Sequence, residues 1–282
     1  MRLGTEIDVL IAAEVDGIYS NGTAGEFHNQ TEAEFDAIQQ LLAQSCRAAG
    51  MPFVIGACQP DPRLALDRVR RAAALAPDGI QVILPDWWPL SNAEAVDFLV
   101  MAAEAAGAIP LILYNPPHAK RVLGPAELAA ILEQVPQVVG AKLGDGDADW
   151  YAEARQHLAD WALYVPGHHL ATGVREGVAA GAFSNVACLS PTGAQRWTAL
   201  MDTDLDAALE IETRIRQFVL GHILPFAEQG YSNAALDKLL AAIGGWAPVG
   251  TRLRRPYKSI APEAAMRLRP IAKDLIPEIM LD

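Results

Sequence analysis

The 282-residue chain is predicted to be an α/β protein, a (β/α)8 or TIM barrel followed by a C-terminal helical extension. Three observations lead there. From residue 17 to about 200, short apolar runs alternate with longer segments of helical period, the pattern of βα units on a parallel sheet. Most of the runs are continuously apolar, as strands covered on both faces must be. No Gly-x-Gly-x-x-Gly follows any run, which places an open doubly wound sheet second to a barrel.

The predicted strands are 17–20, 53–58, 79–84, 109–115, 138–144, 162–166 and 182–189. Thr31 with Glu34 and Ser91 with Glu94 have capping-box spacing, and Pro125 and Pro191 sit where a first helical turn accepts proline. Beyond residue 205 the strand pattern stops. Segments 205–228, 232–243 and 262–279 read as helices, with Ser232 as a cap and Pro262 at a helix start. The expected organisation is a barrel over 1–204 and a helical extension over 205–282. Seven runs are one fewer than a closed barrel needs, and the chain opens with a helix-like 5–13 where a strand would stand.

Composition narrows the function. At 51% hydrophobic residues the chain can bury a large core. A net charge of −12 argues against nonspecific binding to nucleic acid or anionic membrane, which needs a basic face. No stretch has a signal-peptide layout or the length and apolarity of a membrane span, and Cys46, Cys58 and Cys188 lack disulfide or zinc spacing. The expectation is a cytoplasmic protein with reduced thiols, acting on a small molecule without a metal or other cofactor.

The residues after each strand form the working face of such a barrel. Lys142 lies near the end of the strand-like run 138–144. An ammonium has a reference pKa of roughly 10.4, and a desolvated strand end disfavours the charged form and frees a nucleophile for Schiff-base chemistry. The alternative is a lysine whose stem merely snorkels to the surface. After the first run, Gly22-Thr23-Ala24-Gly25 lets backbone amides and the Thr23 hydroxyl approach a carboxylate, or is an ordinary glycine-rich turn. Tyr114, before Asn115-Pro116-Pro117, is placed to relay protons if Lys142 stands beside it.

In this order the segments Gly22-Thr23-Ala24-Gly25-Glu26, Tyr114-Asn115-Pro116-Pro117 and Gly140-Ala141-Lys142 resemble the dihydrodipicolinate synthase and N-acetylneuraminate lyase family. The likeness extends to Gly167, to the passage 177–185 and to the C-terminal 250–256. It implies a homo-oligomeric class I aldolase or lyase, dimeric or tetrameric, with Lys142 as the imine residue for pyruvate or a related 2-oxo acid. Tyr114 and Thr23 would then be catalytic, with Gly22, Ala24, Gly25, Trp87, Gly167, His168 and Ser184 contacting substrate. Glu26 would be structural. The absent strand would be the barrel's first, preceding residue 5 and leaving a gap in the wall.

Departures from the family pattern bear on the substrate. Ala24 stands where a second threonine is usual, Trp87 falls on a hydroxyl-relay tyrosine, and Ala119 falls on the arginine that holds a second carboxylate. An indole donates one hydrogen bond and cannot pass a proton along. Lysine biosynthesis is therefore disfavoured. The alternatives are a sugar-acid 2-oxo dehydratase on the same scaffold, or a weakened barrel serving as a binding or structural oligomer. The pair His168-His169 is read as a substrate contact or polar rim in preference to a metal site, and 145–149 as helix capping.

Overall fold

In the computed structural model, which describes residues 2–280, seven parallel strands form one sheet in sequence order. They are β1 (Ile18–Ser20), β2 (Phe53–Gly56), β3 (Gly79–Ile83), β4 (Leu111–Asn115), β5 (Val138–Leu143), β6 (Ala162–Tyr164) and β7 (Ala179–Gly181). Helices α1 (Arg2–Ala12) to α7 (Leu170–Arg175) alternate with them, the others being α2 (Glu32–Ala49), α3 (Pro62–Ala73), α4 (Asn92–Ala106), α5 (Pro125–Leu132) and α6 (Ala148–His157). After β7 the described chain is helical: α8 (Asn185–Leu189), α9 (Pro191–Thr203), α10 (Leu205–Phe218), α11 (Leu224–Glu228), α12 (Asn233–Gly244), α13 (Pro262–Leu275) and α14 (Pro277–Met280).

Local chemistry fixes the element ends. Thr31 and Ser91 make complete capping boxes with Glu34 and Glu94, and Pro125, Pro191 and Pro262 occupy first helical turns. Asp147 accepts from the Trp150 N–H at 3.0 Å, so the acidic run does cap α6. Ser232 holds the N-cap position of α12, but its hydroxyl makes no capping bond.

Strands β1–β5 differ from the sequence reading by one or two residues at an end, and the last two depart for a visible structural reason. The sixth strand stops at Tyr164, because Gly167–His169 turn into a 3₁₀ helix. The seventh is Ala179–Gly181, whereas much of the expected 182–189 run is helix α8. Ser184 caps that helix by accepting from the Ala187 N–H at 3.2 Å, and Val186 and Leu189 bury one face three residues apart. An apolar run this short is compatible with either period.

The core has two large clusters. One lies between β1–β5 and their helices; the other joins Val165, Leu170 and Ala171 to the inner faces of α8–α14. Strand β1 pairs with β2 and β7 with β6, and the sheet's two end strands are not hydrogen-bonded to each other. Rings span the interval instead: Phe183, just after β7, lies 4.6 Å from Tyr19 of β1 and 4.8 Å from Tyr164 of β6, centroid to centroid.

The β1–β2 contact is close enough to demand glycine. A Cβ at Gly56 would stand 2.6 Å from the Asn21 carbonyl oxygen and 2.8 Å from that of Ser20. Gly56→Ala is expected to cost about 1–3 kcal/mol through overpacking against backbone that has no room to move. A denaturation midpoint equal to wild type would contradict this.

Candidate active site

Adjacent strands bring the lysine and the tyrosine together. Tyr114 of β4 and Lys142 of β5 are register partners, so their side chains leave the sheet on one face at the same height. The Lys142 Nζ lies 4.3 Å from the Tyr114 ring centroid, 5.5 Å from that of Tyr19 and 5.4 Å from that of Phe183. Burial among these rings lowers the ammonium's pKa, and the negative charge of Asp237 opposes the shift in part. The cation–π contacts also favour the charged form, yet desolvation prevails.

The Tyr114 hydroxyl is 3.4 Å from the Thr23 Oγ1. Burial raises the pKa of this phenol and the Thr23 hydrogen bond opposes it, so at neutral pH the group carries its proton. Thr23 comes from a tight turn in which the Gly25 N–H donates to the Gly22 carbonyl and the Glu26 N–H to that of Thr23, both at 3.0 Å. The turn thus uses the amides of Gly25 and Glu26. Those of Thr23 and Ala24 donate to no backbone carbonyl among the described residues. Gly22 is required sterically, since a Cβ there would sit 2.7 Å from the Tyr19 ring.

The turn is held from both sides. Glu26 is buried in the left-handed region at φ 56°, where it accepts from the Lys238 Nζ and the Arg254 N–H, each at 2.8 Å. From below, the wholly buried Arg68 of α3 donates to the Phe27 carbonyl at 3.0 Å and pairs with Glu32 at 2.8 Å. Glu26 is therefore a structural clamp. Glu26→Ala leaves the Arg254 amide without its acceptor and Lys238 without its counter-ion, holding only the Arg252 carbonyl, and a loss of about 3–5 kcal/mol is expected. Unchanged chemical denaturation would count against that role.

One ionisable group of the site escaped the sequence reading. Asp237, on α12, shares the interior with Lys142, and burial pushes its carboxyl up to about 6 against the opposing pull of the Lys142 charge. Its Oδ2 also accepts from the Asn233 Nδ2 at 3.3 Å. The available signal was an acid within 234–243 of α12, a stretch that is apolar apart from Asp237 and Lys238. Above about pH 6 the ionised carboxylate favours the Lys142 ammonium. Asp237→Asn should therefore shift the acid limb of imine formation to lower pH, with the two proteins converging below about pH 6, where wild-type Asp237 is itself protonated. Superimposable profiles would show that the charge does not reach the amine.

The remaining predicted contacts lie at two places. Gly167, His168 and Ser184 form one cluster: a Cβ at Gly167 would be 2.4 Å from the Ser184 Oγ, and the His168 N–H donates to the Asn185 Oδ1 at 3.1 Å. Burial lowers the pKa of His168 to about 4, leaving it neutral. The neighbouring His169, its ring centroid 4.4 Å from that of His168, pairs through Nδ1 with Asp145, which also accepts from the Tyr151 hydroxyl at 2.8 Å. Among the described residues no group of three or more His, Cys, Asp or Glu is arranged to hold a metal ion. Trp87 stands outside this constellation, 84% exposed, its ring under the Lys120 ammonium at 4.8 Å.

A sheet of parallel strands here sets a desolvated amine at the end of the fifth beside a phenol on the fourth, in an α/β protein. The chain belongs to the dihydrodipicolinate synthetase family, which it matches over residues 2–275. It is 30% identical over 154 residues to a probable 5-dehydro-4-deoxyglucarate dehydratase of Methylobacterium radiotolerans, covering 55% of this chain and 49% of that one. It is 26% identical over 272 residues to a 4-hydroxy-tetrahydrodipicolinate synthase of Thermomicrobium roseum, covering 95% and 86%. The matches span about half the length of the first curated relatives. Among solved structures, YagE of Escherichia coli K12 in complex with pyruvate superposes with a TM-score of 0.82 at 21% identity, covering 96% of this chain and 91% of that one. N-acetylneuraminate lyase of Mycoplasma synoviae superposes at 0.79 and 20%, covering 98% and 90%.

Proposed function

We propose that the protein is a class I lyase or aldolase in which Lys142 forms an imine with pyruvate or a related 2-oxo acid. The observation that carries this reading is the position of the Lys142 amine, desolvated and 4.3 Å from the ring of Tyr114, whose hydroxyl meets Thr23. The free amine attacks the 2-oxo carbon, and Tyr114 passes the proton that allows the carbinolamine to lose water. The substrate carboxylate takes the N–H groups of Thr23 and Ala24, with Gly22 and Gly25 shaping the turn. The iminium then draws electrons from the adjacent bond. Loss of a C3 proton gives an enamine, and cleavage beyond C3 gives the same enamine plus an aldehyde. Gly167, His168 and Ser184 are proposed to face the distal part of the substrate, and Trp87 to reach it only across an oligomer contact.

The name of the Methylobacterium relative favours a second reading, a sugar-acid dehydratase in which the iminium loses its C3 proton and the resulting enamine expels the protonated C4 hydroxyl as water. Ala119, in place of a carboxylate-binding arginine, supports neither that reading nor the lysine-biosynthetic reaction. We also read the seven strands as a (β/α)8 barrel lacking its first strand, with the helices after residue 205 as an extension, and the protein as a cytoplasmic homo-oligomer. No helix among the described residues is long and apolar enough to cross a membrane.

Proton NMR of pyruvate in D₂O tests the proposal. Enamine formation exchanges the methyl hydrogens, so enzyme-dependent loss of the methyl signal is expected; a signal as stable as in buffer alone would contradict it.

A further inference from the structure

A cavity of about 530 Å³ adjoins the proposed imine site, and Tyr114 belongs to both. Its ring faces the Lys142 amine while its side chain, with Thr23, lines the cavity. The walls are apolar, built from Phe27, Ile83, Leu84, Leu90, Leu113 and Leu123. The volume is that of a site for a small organic molecule.

The charged and amide side chains on the wall are committed to the protein, Asn233 to Asp237 among them, whereas the His118 and Tyr257 side chains that also line it make no hydrogen bond among the described residues. Arg121 is the only lysine or arginine in the lining, and its guanidinium donates to the Leu90 carbonyl, the Asn92 side chain and the Glu127 carboxylate. Asp86 accepts from the Lys120 N–H at 2.9 Å, and the Lys120 ammonium is held on the Trp87 carbonyl at 2.6 Å. Asn115 exchanges hydrogen bonds with the Leu123 backbone at 2.9 and 3.1 Å. Burial lowers the pKa of His28, leaving that imidazole neutral. The Ser232 hydroxyl is buried without a partner among the described residues, enough for one neutral hydrogen bond. A carboxylate or phosphate entering here would meet Asp86 and find no uncommitted guanidinium or ammonium, and a desolvated anion without a counterion is costly.

We propose that this cavity is the acceptor site, and that the carbonyl compound it takes or releases is an uncharged, largely apolar aldehyde carrying no carboxylate or phosphate. The inference rests on the imine reading above and specifies its second substrate. In the condensing direction, the enamine's C=C pair forms the new bond from C3 to the aldehyde carbon. The aldehyde's C=O pair moves to oxygen, which takes a proton from Tyr114. Water then hydrolyses the iminium, returning the Lys142 amine and releasing a 4-hydroxy-2-oxo acid. Cleavage is the reverse.

The test pairs two measurements on the whole protein. Borohydride trapping with pyruvate reports the imine, and product formation is followed with benzaldehyde, succinic semialdehyde and glyceraldehyde 3-phosphate as acceptors. The expected result is a trapped adduct together with kcat/KM for benzaldehyde about a hundredfold above either anionic aldehyde. An adduct with equal or reversed preference, or with no turnover of any of the three, overturns the apolar acceptor site and leaves the imine standing. No adduct overturns the imine reading and the acceptor site with it.

Discussion

Lys142→Ala is expected to abolish turnover, with kcat falling by at least about 10⁴-fold, because no other amine among the described residues stands where the imine must form. Lys238, next to Asp237 on α12, is engaged by Glu26 and the Arg252 carbonyl, both at 2.8 Å. The substitution should not cost the fold. It removes a desolvated amine whose pKa burial already lowers, so the rings of Tyr19, Tyr114 and Phe183 lose an unfavourable neighbour. A variant of wild-type stability with no activity is therefore the anticipated outcome. Activity within tenfold of wild type would remove Lys142 from the mechanism. Lys142→Arg makes a useful companion, since a guanidinium keeps the charge and forms no imine.

Tyr114→Phe is expected to lower kcat by about 10²–10⁴-fold, the range for loss of one positioned acid–base group. The ring packs with Phe27, Cys58 and Ile83, and phenylalanine preserves that contact. The hydroxyl's partner is Thr23, at 3.4 Å, so the cost to stability should be no more than about 1.5 kcal/mol. Imine formation should become slow without being lost, because the Lys142 amine and the Thr23 and Ala24 amides are untouched. Borohydride trapping over time separates the cases: a slower rise to the same adduct level supports a proton relay, whereas an unchanged rate would assign Tyr114 a packing role.

The parts of this site legible in the sequence are those set by strand order and parity. Tyr114 and Lys142 each end a run that reads clearly as a buried strand, and consecutive parallel strands place such ends side by side. The seventh strand was misplaced because Ala182 to Leu189 is an apolar run whose helical period emerges only once Ser184 caps it. Contacts between distant segments were not legible. Glu26 and Lys238 are 212 residues apart, and Asp237, 95 positions beyond Lys142, reaches it electrostatically only through the tertiary fold. The pairing of Asp145 with His169 was likewise hidden, since the acidic run has a sufficient local explanation in the cap that Asp147 provides. Local signals thus pointed to the lysine and tyrosine that the structure sets side by side, while the charges around them came from the tertiary fold.

The central claim is that a 2-oxo acid is bound covalently by one particular lysine. Its most direct test is sodium borohydride reduction of the wild-type protein with pyruvate, followed by proteolysis and peptide mass mapping. The account predicts a single reduced pyruvyl group, carried by the peptide containing Lys142. Modification at another lysine, or no modification at saturating pyruvate, would contradict it.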